Sequence, residues 1–211
     1  MNKKSAVPVI VIVVAIVGII IALKMHNDSK VVNNTPKVST TQSDTTPAAV
    51  SPGFYLSSVY NIYFLYPNKY VLDEKDAVVA GEKRHTLTLI TASDRQLISL
   101  ASDANATPGD IAPESITVDI FPGAAASKTV DAWVRTSSNS NFKLSHDHVL
   151  SPTTISGLPA VTYSWDGLLS NNSVVVAYKG SVIVINMSYI SSQDVVWQDF
   201  AKVVQSFKVK N

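Results

Sequence analysis

The sequence predicts an α+β protein: a mostly antiparallel β-sheet flanked by helices on both faces, preceded by one transmembrane helix. Three observations carry that prediction. Stretches of alternating apolar and polar residues, the cleanest being Ser115-Ile-Thr-Val-Asp-Ile-Phe121, have the period of two of a strand with one buried face. Residues 127–136 and 192–206 change to apolar spacings of i, i+3 and i+4, the stripe of a surface helix. Residues 6–23, AVPVIVIVVAIVGIIIAL, contain no charge and no polar side chain. As a helix they reach about 27 Å, close to the hydrocarbon thickness of a bilayer.

Residues 1–25 are read as an N-terminal anchor. The apolar run is continuous, not striped, which excludes a buried core helix. No Ala-x-Ala-like pair follows it, which favours an anchor over a cleaved signal peptide. A pilin-like assembly helix would pair a cleavage-site glycine with an acidic residue in the run, and neither is present. Lys3 and Lys4 precede the span, so the positive-inside rule places the N-terminus in the cytoplasm and the C-terminal domain outside the cell membrane.

Residues 26–53 form the expected tether. Ser, Thr, Asn and Pro dominate, and such a composition buries too little apolar surface to offset chain entropy. A flexible chain of this length spans roughly 30 Å. Asn33 lies in an Asn-Asn-Thr sequon, relevant in a host that glycosylates.

Residues 54–211 are the expected extracytoplasmic domain, with order beginning near Tyr60. Residues 61–66 alternate, with Ile62, Phe64 and Tyr66 on one face, and Pro67 ends them. Residues 70–79 are a less regular strand, and 85–91 a third, with Leu87 and Leu89 inward. Residues 93–114 are rich in Asp, Asn, Gly and Pro and read as a long loop with a short element at 95–100. Strand 115–121 follows. The helix at 127–136 starts behind an N-cap at Ser127 or Thr129 and carries Val130, Trp133 and Val134.

Strands at 148–154 and 158–165 flank Gly157. Residues 174–189 read as a hairpin around Lys179-Gly180. Pairing Tyr178 with Ser181 puts Val174, Val176, Ile183, Ile185 and Met187 on one face and Val175, Ala177, Val182 and Val184 on the other. Both faces are apolar, so these strands belong at the centre, covered on both sides. The helix at 192–206 has the stripe Val196, Phe200, Val203 and Phe207, and residues 207–210 close the chain as a short strand.

With these elements in order, residues 60–210 resemble the PsbP-like family. The likeness rests on Tyr63-Phe64-Leu65-Tyr66-Pro67, the strand–helix step from Ile116 to Val134, Ser156-Gly157-Leu158-Pro159-Ala160, the hairpin, and the closing Phe200-Ala-Lys-Val-Val-Gln-Ser-Phe207. The resemblance implies a non-enzymatic domain that docks onto membrane-associated complexes. Photosynthetic members carry a cleavable transit sequence where this chain keeps a span, and residues 93–114 and the tether have no counterpart. A photosystem role and functional residues are therefore not carried over.

Cysteine is absent, which excludes disulfides, a thiol nucleophile and zinc-thiolate sites. The formal net charge of +1 divides into a basic N-terminal part and a slightly acidic domain, a poor match to nucleic acid. No Gly-x-Ser-x-Gly turn, P-loop or dinucleotide fingerprint occurs. His146 and His148, two apart on a strand, would share a face and could hold a metal with a third ligand; a solvated strand edge is favoured. His85 reads as an exposed strand start. Asp73, Glu74 and Asp76 lack the glycine and terminal glutamate of a calcium loop. Trp133 and Trp165 read as core, and Trp197 as the candidate partner contact.

The expected function is thus a membrane-anchored extracytoplasmic PsbP-like binding domain, not an enzyme and without cofactors. Its expected partners are the membrane, through residues 6–23, and an envelope protein complex, not nucleic acid. The alternative is a metal- or ligand-binding domain, enzymatic or not, using His146 and His148.

Overall fold

A computed structural model describes residues 51–101 and 113–210. The expected span, nearly all of the tether and residues 102–112 lie outside the described residues. Among the described residues no helix is long and apolar enough to cross a membrane.

Strands and helices follow in the order β1 (Gly53–Ser57), β2 (Ile62–Tyr66), β3 (Tyr70–Val79), β4 (Glu82–Thr91), α1 (Ala92–Ala101), β5 (Ser115–Phe121) and α2 (Val130–Thr136). After two single 3-10 turns come β6 (Ser151–Ile155), β7 (Leu158–Asp166), β8 (Ser170–Tyr178), β9 (Ser181–Tyr189), α3 (Val195–Ser206) and β10 (Lys208–Val209). Seven strands form one sheet in the order β3-β4-β5-β9-β8-β7-β6, and β1-β2-β10 form a second. Every pairing is antiparallel.

Three hairpins of the large sheet turn through two residues of positive φ: Ala80-Gly81, Ser156-Gly157 and Lys179-Gly180. Positive φ at both positions is the mark of a type I′ turn, whose twist matches that of the flanking strands. The β8–β9 turn pairs Tyr178 with Ser181, as the apolar pattern requires.

That register divides the core into two layers. On one face of the large sheet Leu87, Ile116, Val118, Val176, Ile183 and Ile185 pack with Val196, Phe200 and Val203 of α3 and with Ile62, Phe64 and Phe207. On the other face Phe121, Val175, Val182, Val184 and Tyr163 meet Trp133 and Val134 of α2 and Phe142. Helices thus lie on both faces, but α3 shares its face with the small sheet, a second layer that the periodicity does not announce.

The structure departs from the sequence-based expectation in several places, β8 among them, which starts at Ser170 and not Val174. Ahead of Tyr60, Gly53–Ser57 already forms β1 and pairs with β2. A Cβ at Gly53 would run into the Tyr66 ring, which would have to shift to admit any other residue. The third strand starts three residues early, at Glu82, because the Ala80-Gly81 turn is tight. Residues 92–101 form a full helix, started by a reciprocal cap: the Asp94 N–H donates to Thr91 Oγ1 and the Thr91 hydroxyl to Asp94. The strand expected at 148 begins at Ser151, since His148 has φ 52° and leaves the extended region. The closing strand is two residues long and joins β2 in the small sheet.

Candidate functional site

The histidine cluster is dispersed by this backbone. His146 is exposed and its Nε2 meets the Asp166 carboxylate. The His148 ring turns edge-on to Phe142, centroids 5.9 Å apart. Asp147, between them, accepts from the Ser145 hydroxyl at 3.0 Å and the Val149 N–H at 3.0 Å, and these bonds hold its carboxyl below the usual range. The strand geometry that would set both imidazoles on one face is therefore not met. Among the described residues no group of three or more His, Asp or Glu side chains is placed to hold a metal.

His85 is not an exposed strand start. It lies within β4, its side chain 11% exposed. Register sets it beside Asp76, and Nδ1 is 2.8 Å from Asp76 Oδ1, while Nε2 is 3.5 Å from Glu74 Oε2. The Tyr60 ring lies 4.9 Å from it, centroid to centroid. His85, Asp76 and Tyr60 border a cavity of about 360 Å³ with Lys83 and Arg84. The two carboxylates stand at opposite nitrogens of one ring, with Nδ1 hydrogen-bonded to Asp76 and the buried Nε2 without a hydrogen-bond partner. Asp73, the third member of that acidic run, is taken by Arg95 at 2.6 Å.

Of the tryptophans, Trp133 is fully buried with its indole N–H 3.4 Å from Glu82. Trp165 packs on the α2 layer and donates to Ser173 at 3.0 Å. Trp197 is half-buried, its ring 4.8 Å from that of Tyr189, and its buried indole N–H has no hydrogen-bond partner.

The larger cavity is a groove of about 550 Å³ between the end of α3 and the β2 end of the small sheet. Pro52, Leu65, Tyr66 and Pro67 supply apolar walls, and Lys202 and Gln205 the polar ones. Its shape follows from local chemistry. β10 pairs with β2 only at Ile62 and Tyr63. Beyond it, the Ser206 hydroxyl accepts from the Leu65 N–H at 3.0 Å and lies 3.2 Å from the Leu65 carbonyl. One side chain thus closes the strand edge that a longer β10 would have covered, leaving a trough instead of another ladder.

Three residues before Lys202 on α3 sits Asp199, 2% exposed. It is bound by Lys69 at 2.6 Å, Lys202 at 3.0 Å and the Tyr70 hydroxyl at 3.1 Å. Burial pushes its pKa up, but the hydrogen bonds and charges of the two lysines outweigh that and hold the carboxyl below its ordinary value. The same burial, with Asp199 beside it, pushes the Tyr70 hydroxyl pKa up. This buried anion fixes Lys202 on the groove wall. Chemically the site can bind an amphipathic segment: apolar contact along one side, a cation and an amide along the other.

No local sequence pattern marks the groove. Leu65 and Tyr66 were visible as strand residues and Gln205 and Ser206 as a helix end, but nothing in either stretch says that they meet. No protein-family model matches the chain, and no curated protein matches it. Among solved structures it is similar in fold to cyanobacterial PsbP (CyanoP) from Synechocystis sp. PCC 6803. The identity is 16% and the TM-score 0.49, covering 75% of this chain and 92% of that one.

Proposed function

We propose that this protein is a single-pass membrane protein holding a non-catalytic binding domain outside the cytoplasm, and that its partner, a protein of the envelope, binds in the groove between α3 and β2. The observation that supports this most directly is the position of the groove. Pro52, which forms one wall, lies at the end of the expected tether, so whatever binds there is held within the tether's reach of the bilayer. Confinement of both partners to that layer raises their effective concentration, and a modest interface then suffices. Trp197, half-buried on the same helix, is read as a second contact.

A photo-crosslinking residue placed at Gln205 in the full chain tests the reading in native membranes. A discrete adduct is expected from position 205 and none from Ser127, on the loop before α2. Replacing residues 6–23 by a cleaved secretion signal should abolish the adduct. No adduct from 205, or the same products from both positions, would overturn the proposal.

A further inference from the structure

The small sheet is apolar on both faces, yet only one face is covered. Tyr55, Ile62 and Phe64 point into the core. On the outer face Phe54 and Leu56 are each 54% exposed and Leu65 is 40% exposed. Register places Phe54 beside Leu65 and Leu56 beside Tyr63, and the Phe54 and Tyr63 rings lie 6.1 Å apart. The four side chains form one continuous patch on rigid backbone, of the kind that marks an interaction surface.

The charges around the patch say what kind of surface it meets. Residues 53–72 and 200–210, which include β1, β2 and β10, contain Lys69, Lys202, Lys208 and Lys210 and no acidic residue; the carboxylates that reach them from β3, Glu74 and Asp76, act on the inward Tyr55 and on Tyr60 in the β1–β2 turn. Every acidic residue beyond position 54 falls between Asp73 and Asp199. Asp199 is buried and answers Lys69 and Lys202. Lys208, set beside Tyr63 by register, is exposed, as is Lys210, and neither forms an ion pair among the described residues. An aromatic and aliphatic patch bordered by basic groups, on an otherwise acidic domain, is complementary to anionic headgroups over an apolar interior. Residues 24–53 separate the patch from the end of the expected span, and a flexible chain of that length covers roughly 30 Å, enough to bring the two together.

We propose that the face formed by Phe54, Leu56, Tyr63 and Leu65, with Lys208 and Lys210 at its rim, docks on an anionic lipid surface and lays the domain flat on the bilayer. The groove, which shares Leu65 with this face, then opens at the membrane rim. The proposal rests on the reading of residues 6–23 as a span.

The chain has no cysteine, so Leu56→Cys gives a single site for an environment-sensitive dye, with Ser127→Cys as the control. The full chain is reconstituted in vesicles of phosphatidylcholine with and without phosphatidylglycerol. With the anionic lipid, the dye at 56 should shift to the blue and be quenched by brominated acyl chains, and the dye at 127 should not. Lys208→Gln and Lys210→Gln, both at exposed positions, should each lower the docked-to-undocked ratio about fivefold, the weight of one lysine at an anionic surface. Raising salt from about 0.1 to about 1 M should act in the same direction. Equal water exposure at 56 and 127 would overturn the proposal. So would disulfide capture of position 56 by position 56 of another copy, or protection of 56 that needs an added protein. Extraction of the chain by alkali would count against the span alone, because the dye at 56 reports the face independently.

Discussion

Two carboxylates of this domain respond to pH in opposite senses. Asp199 is held below its ordinary pKa by the lysines and the Tyr70 hydroxyl that bind it, so its contribution is complete above 3.8 and is lost as pH falls through the folded-state value. Asp199→Ala leaves the Tyr70 hydroxyl buried without a partner, and denaturant unfolding should show a loss of about 2 kcal/mol. Glu114 behaves the other way. Burial, and then its hydrogen bond to Asp194, the N-cap of α3, push it from 4.5 up to about 7. The folded chain binds more protons than the unfolded one between those values, so this contact weakens as pH rises through them. Glu114→Gln keeps a donor toward Asp194 but cannot ionise. Thermal melts between about pH 5 and about pH 8 should show the wild type losing stability relative to the variant as pH rises.

The hairpins carry the argument at the scale of elements. Each two-residue turn of the large sheet needs positive φ twice, and the β3–β4 turn meets the first with Ala80 at φ 50°. A residue with a Cβ pays roughly 1 kcal/mol there, and asparagine is better tolerated than alanine. Ala80→Asn should therefore raise the unfolding midpoint, by about 0.5 kcal/mol in free energy. The β8–β9 hairpin makes a second claim. Val175 and Val176 are both fully buried, on opposite faces. Val175→Ala and Val176→Ala should each cost about 2 kcal/mol in chemical denaturation. A strand with one wet face would give one neutral variant of the two.

At the scale of the whole molecule, the decisive feature is an imbalance between burial and apolar pattern. Both faces of β8 and β9 are apolar and both are covered, whereas both faces of β1 and β2 are apolar and one is not. Phe54→Ser, 54% exposed on the same outer face, should accordingly change domain stability by less than about 0.5 kcal/mol, as an exposed substitution does, while lowering recovery of the docked state that the dye at 56 reports. A large drop in the thermal midpoint would show instead that the outer face belongs to the core.

Strand period, the Tyr178–Ser181 register and the α2 and α3 stripes follow from neighbours within a few residues and were legible for that reason, while the α2 cap was narrowed to Ser127 or Thr129 and the structure selects Thr129. The cap at Thr91 and Asp94 was equally local and shows that residues 92–101 could have been read as a helix. The candidate site was not local. His85 meets Asp76 across a hairpin, while Leu65 meets Ser206 across most of the domain. Composition and period alone therefore determined that this chain carries an uncharged apolar run ahead of an antiparallel sheet with helices on both faces. Which residues share a groove, and which apolar face is left uncovered, was decided by the tertiary structure. Pairing between segments far apart in the chain depends on which surfaces the whole fold has already buried, and no local pattern records that.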